Sequence, residues 1–339
     1  MSSNYLAVRP EWLALGAEEI LEPDLPIIDA HHHFYDRPNW LYMEDEYLAD
    51  LGSGHKVLAT VYMQAQTRYY DHGPEMLRVV GETAYVAQQA EVQSATGIQL
   101  AAGIVGHADL RAGANVRQVL EAHIETGRGR FRGIRHLTTW DADASLVNPL
   151  SAVPAGLLGD TAYREGVAQL ASLGLSYDAW LFFHQLPELC DLAQRFPDLP
   201  IIVNHCGGIL RIGEYANQRD DAYAIWRKHM RSLAQLPNVF VKLGGLGMRI
   251  NGFHFEQAEA PPTSYMLAET WRPWMEPCIE FFGTDRCMFE SNFPVDKGSY
   301  PYATLWNAFK RLTASANAGE RRRLFSETAR RLYRLPELS

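Results

Sequence analysis

Pro26-Ile-Ile-Asp-Ala-His-His-His33 decides how the rest of the chain is read. Its apolar run ends abruptly in an acid and three histidines. A run of this kind reads as a buried strand with the polar cluster at its C-terminal end. Side chains alternate along a strand, so His31 and His33 share one face and His32 takes the other. Two imidazoles on one face can grip a single cation or oxyanion. In a parallel barrel the C-terminal strand ends form the active face.

Working outward, short apolar runs recur near 57–63, 98–105, 131–136, 175–183, 199–204, 239–243 and 287–291. Helical segments are expected near 73–96, 114–126, 161–173, 216–235, 266–282, 302–315 and 318–333, with another starting near Pro187. Residues 34–54, 141–160 and 247–264 read as long loops, the first of them aromatic and acidic. Strands alternating with helices imply a parallel sheet, and eight such units imply a closed (β/α)8 barrel of the α/β class. The reading is an N-terminal arm over 1–24 followed by one barrel over 25–335.

Composition narrows the partners. Hydrophobic residues at 47% suffice for a large core, and a net charge of −9 argues against nucleic acid and anionic membranes. There is no run of 18 apolar residues to cross a bilayer. The N-terminus carries Glu11, Glu18, Glu19 and Glu22 and lacks a signal-peptide layout. Cys190, Cys206, Cys278 and Cys287 show no C-x-x-C spacing, so they read as reduced thiols in a cytoplasmic protein.

Polar residues gather where strands end: His31 and His33, Gln64, Arg135 and His136, His184, His205, Lys242 and Asn292. Barrel enzymes draw catalytic groups from the ends of several strands. A single buried histidine is more often a satisfied core residue, but four after three different strands point to a site. Arg132 and Arg135 alternate in direction, so one of them faces the interior, where a guanidinium can hold a carboxylate bidentately. Glu290 shares the Asn292 face by the period of two and lies one layer deeper; it can pair with Lys242 or an arginine. Tyr35, Trp40, Tyr69 and Tyr70 can wall a pocket or pack over the barrel mouth.

The ordered set Asp29-Ala-His31-x-His33, Gly133-Ile-Arg135-His136, His184, Asn204-His205-Cys-Gly207-Gly208, Lys242-Leu-Gly-Gly245 and Met288-Phe-Glu-Ser-Asn292-Phe-Pro294 resembles the amidohydrolase superfamily. It is most similar to the amidohydrolase-related branch that contains sugar-lactone and dicarboxylate-lactone hydrolases. The resemblance implies one divalent metal held by His31, His33 and His184, with His205 in the site as acid, base or donor. It favours Arg135 as the substrate anchor. Three neutral imidazoles suit zinc and leave a position for water or substrate.

Two departures from the family pattern stand out. Strand four carries no lysine to bridge a second metal. Strand eight ends in Asn292 where the family has an aspartate, and a carboxamide is a poor metal ligand and no base. His205, Glu290 and Asp296 remain the candidates for proton transfer. The expected chemistry is hydrolysis of a small lactone or cyclic ester by activated water. Its substrate would be anionic or polyhydroxylated, held by Arg135, His136, Gln64 and Lys242. The rivals are a non-oxidative decarboxylase of an aromatic or dienoic acid and a binding protein on a decayed scaffold. A homo-oligomer is left open.

Overall fold

The computed structural model describes residues 5–38, 40–93, 97–148 and 152–337. Eight parallel strands form the barrel: β1 (Ile27–His32), β2 (Val57–Met63), β3 (Gln99–Gly106), β4 (Phe131–Leu137), β5 (Ser176–Trp180), β6 (Ile201–Val203), β7 (Val239–Leu243) and β8 (Cys287–Phe289). They pair in sequence order, and β1 and β8 lie at the two ends of that order. Backbone contacts close the seam between them. His33 N donates to Phe293 O at 2.8 Å, Asn292 N to His31 O at 2.9 Å, and His32 bridges Phe293 in parallel.

The strands are apolar on both faces because helices cover the outside and side chains fill the inside. Ile28, Ala30, Ala59, Val61, Met63, Ala102, Val105, Ile202 and Met288 form the inner cluster. Tyr333 and Leu335 plug it from the C-terminal tail. A register shift between Asp29 and His32 interrupts the alternation of β1. It leaves Ile28 and Ala30 inside and turns Asp29 outward, onto Tyr47 OH at 2.7 Å and Tyr302 OH at 3.0 Å. Asp29 also accepts from Ser291 N across the seam at 2.8 Å.

Residues 34–54 are not one loop. They contain an antiparallel pair, Tyr35–Arg37 with Trp40–Tyr42, and a helix over Glu44–Leu51. Aromatic and β-forming residues here are enough for two short strands, which alternation over three residues does not reveal. The expected helix at 73–96 is a 3-10 turn over Glu75–Leu77 followed by a helix over Val80–Val92; 94–96 lie outside the described residues. The final expected helix is split by a wide turn into Ala318–Arg322 and Thr328–Leu332.

The residues before β1 are strapped to the far end of the chain. Trp12 donates to Ala258 O at 3.0 Å, and Glu18 accepts from Ser264 N at 2.6 Å. All four cysteines are free thiols. No helix among the described residues is long and apolar enough to cross a membrane.

Candidate active site

Inward positions of successive strands place four charged groups in the barrel. Asp178 (β5), Lys242 (β7) and Glu290 (after β8) have no exposed surface, and Arg135 (β4) has 5%. Lys242 Nζ meets Asp178 Oδ1 at 2.8 Å rather than Glu290. Asp178 is further held by Asn204 Nδ2 at 3.0 Å and Tyr333 OH at 2.9 Å. Sequence reading missed both Asp178 and Tyr333; the signal was the acid inside the otherwise uncharged run Ser176–Trp180.

Glu290 links β8 to two histidines. Its Oε1 lies 2.7 Å from His205 Nδ1 and accepts from His205 N at 3.1 Å. Its Oε2 lies 2.8 Å from His31 Nδ1, but without hydrogen-bond alignment. The His205 ring stands 4.6 Å from the His31 ring and 4.6 Å from Trp180. The chain turns sharply to deliver it: His205, past β6, has φ 52°, and Asn292, past β8, has φ 56°. Left-handed non-glycine residues are costly and cluster at functional sites. Gly245 lets β7 pass the same ring, since a Cβ there would lie 2.2 Å from His205 Nδ1.

His31 and His33 point into the same space, as alternation predicts. His33 Nδ1 donates to Met63 O at 3.0 Å, which leaves Nε2 with its lone pair. That lone pair faces His31 Nε2 at 3.1 Å, and Arg135 donates to the same His31 nitrogen at 3.0 Å. Arg135 donates a second bond to Gln64 O at 2.8 Å. Burial is the main cause holding His31, His33 and His205 below the ordinary histidine range; Glu290 opposes it at His205. That direction favours the neutral imidazole in all three. Burial likewise lowers Arg135 and Lys242.

The remaining candidates sit elsewhere. His184 does not join His31 and His33: its Nε2 pairs with Asp141 Oδ2 at 2.9 Å, and Tyr215 OH donates to the same oxygen at 2.9 Å. It lies in a 3-10 turn beyond the end of β5, where strand alternation no longer sets direction. His136 faces away from Arg135, toward His107 and Tyr163, and accepts from Leu110 N at 3.3 Å. Arg132 faces outward onto Gly129 O and Tyr333 O. Gln64 meets Arg135 through its backbone carbonyl. Asn292 Nδ2 donates to Asp296 Oδ1 at 3.0 Å, and Asp296 Oδ2 accepts from Tyr300 OH at 2.5 Å and Gly247 N at 2.9 Å. Burial pushes Asp296 up to about 7.

The donor set fits a divalent ion. Among the described residues, His31, His205 and Glu290 offer ligand atoms that all lie within 4.8 Å of one another. His31 Nδ1 and Glu290 Oε2 are buried and face each other with no aligned hydrogen bond. A cation bound to both would satisfy them. His184, expected as the third ligand, is held by Asp141 instead of joining this group.

Over the barrel mouth, Tyr35 stacks on His33 at 5.6 Å, and Trp40 packs on Tyr35 at 4.7 Å. Tyr5 packs edge-on against both, so two of the four aromatic loop residues do wall the mouth.

Known proteins resemble this chain in sequence and in fold. The chain is 32% identical to the uncharacterised protein y4mH of Sinorhizobium fredii, over 92% of this chain and 99% of that one. It is 28% identical to an L-fucono-1,5-lactonase of Burkholderia multivorans, over 91% of this chain and 96% of that enzyme. An amidohydrolase of Burkholderia multivorans solved with bound zinc superposes with a TM-score of 0.70 at 25% identity, covering 91% of this chain and 99% of that structure. The sequence profile of the amidohydrolase family matches residues 28–335, from inside β1 to the tail that plugs the barrel. A match of that extent takes in every strand and every charged group of the site, and the chain belongs to the amidohydrolase family.

Proposed function

We propose that this hydrolase opens a lactone ring by attack of water. The observation that carries the reading is the grip of Glu290 on His205. With its Nδ1 proton donated to a carboxylate, a neutral imidazole keeps Nε2 free to accept a proton. Water attacks the ring carbonyl as His205 takes its proton. The Arg135 guanidinium, buried beside His31, stabilises the oxyanion. The ring C–O bond breaks, and His205 returns the proton to the leaving alkoxide, giving a hydroxy acid. A divalent ion held by His31 Nδ1 and Glu290 Oε2, the two atoms without aligned hydrogen bonds, would supply Lewis-acid polarisation of the carbonyl and leave His205 Nε2 free as the base.

A lactone is an activated ester and needs less base assistance than an amide. That suits a site whose strand-eight aspartate is replaced by Asn292. The similarity to an L-fucono-1,5-lactonase supports the lactone class.

The test is a pH-stat assay of a lactone panel with the purified protein, beside matching amides and a gas-release assay on aromatic acids. Ring opening with negligible amidase activity is expected, and His205→Ala should lose more than about 10²-fold in kcat. Release of carbon dioxide without ring opening would transfer the site to decarboxylation. Full activity in His205→Ala would remove His205 from the mechanism.

A further inference from the structure

Next to His205 lies a cavity of about 80 Å³, several times the space one water needs. Its walls come from the loops after β4, β5, β7 and β8, so it opens at the catalytic end of the barrel. Leu146, Trp180, Phe182, Met248, Ile250 and Val295 make up most of the lining. Thr139, Asn148 and Tyr5 supply the polar edge, and Asn148 already donates to Tyr5 OH at 3.3 Å. Trp180 joins this cavity to the site through its edge-on contact with His205.

Among the described residues, no charged side chain lines the cavity. Arg37, near the mouth, lies over the Tyr35 ring at 4.0 Å and donates to Ala65 O at 2.8 Å. A carboxylate or a row of hydroxyls seated in the cavity would face mostly carbon. Buried hydroxyls without partners are penalised.

We infer that the substrate is a lactone bearing an apolar substituent, alkyl or aryl, seated between Trp180, Met248 and Leu146. This rests on the lactone reading above and replaces the expectation of an anionic or polyhydroxylated ligand. The reacting carbonyl lies against His205 and Arg135, while the substituent fills the cavity. Discrimination then comes from apolar burial, which for added methylenes amounts to about fourfold per CH2.

Two measurements test it. Binding is measured calorimetrically on the full-length His205→Ala protein, so that ligand is not consumed, and hydrolysis on the unaltered protein. The ligands are δ-lactones carrying hydrogen, methyl, propyl or pentyl groups, beside sugar lactones of the same ring size. Affinity should tighten about fourfold per methylene until the cavity is full. Met248→Gln and Leu146→Asn should flatten that slope. Affinity independent of chain length, sugar lactones bound as tightly as the pentyl lactone, or a slope that survives both substitutions would overturn the inference, even if rings are opened. A steep slope with no ring opening would keep the pocket and overturn the hydrolytic reading instead.

Discussion

Replacing Glu290 by glutamine changes one oxygen for an NH2 and should disable the site. Glu290 holds His205 twice, at 3.1 Å through the backbone and 2.7 Å through Nδ1, and faces His31 Nδ1 at 2.8 Å. Glutamine keeps one acceptor and presents a donor on the other side. Whichever imidazole meets that donor must carry its proton on Nε2. For His205 this removes the basic nitrogen. For His31 it sets an N–H against Arg135, 3.0 Å away. The carboxylate charge is also lost, leaving Arg135 and Lys242 with Asp178 alone. Removing one member of a buried charge network costs about 3–5 kcal/mol. With 339 residues the unfolding entropy is about 0.7 kcal/mol/K, so Tm should fall by about 4–7 °C. A wrong tautomer in a carboxylate–histidine pair costs on the order of 10⁴-fold in kcat. Thermal unfolding and lactone hydrolysis should be measured on the same preparation. A Glu290→Gln enzyme with kcat within about threefold of the parent would refute the role given to the carboxylate.

Three further outcomes are expected. Burial pushes Asp296 up to about 7, so its neutral form is favoured in the fold and the parent loses stability as pH rises through that value. Asp296→Asn cannot ionise, so its stability relative to the parent should improve by on the order of 4 kcal/mol between pH 4 and pH 8, and a pH-independent difference in denaturant titrations would contradict this. Elemental analysis should find at most about one equivalent of divalent metal, abolished in His31→Ala and unchanged in His184→Ala, which lies on Asp141; two equivalents in the barrel mouth would be incompatible with the donor set. Gly245→Ala would drive a Cβ to 2.2 Å from His205 Nδ1, so kcat should drop at least about tenfold, and an unimpaired variant would show that the ring is free to move.

The barrel was legible because parallel strands covered on both sides must be apolar runs, and eight of them are visible between Ile27 and Phe289. The pairing of His31 with His33 followed from alternation alone. What alternation cannot show is where a chain goes after the strand stops. His184 lies past Trp180, and its partner Asp141 comes from the loop after another strand. Glu290 was seen as inward-facing and buried, yet its partners were misjudged. Asp178 had already taken Lys242, and only closure of the barrel brings Glu290 beside His31. The bulge in β1 was equally hidden, since Asp29 and His31 have the same parity but opposite directions. The apolar lining beside Trp180 is drawn from residues spread from Leu146 to Val295, and no local window contains it.

The seam between β1 and β8 carries a consequence for synthesis. Asp29 and Ser291, which meet there, are 262 positions apart. At 5–20 residues per second, β1 leaves the ribosome roughly 15–50 s before its partner exists. Throughout that interval one edge of β1, with its backbone groups unpaired, is open to other chains. The half-site of His31 and His33 waits on that edge for a carboxylate not yet made. Yield in a cell should therefore depend on chaperones that shield a nascent strand, and nascent chains stalled before Ser291 should be captured by them or aggregate.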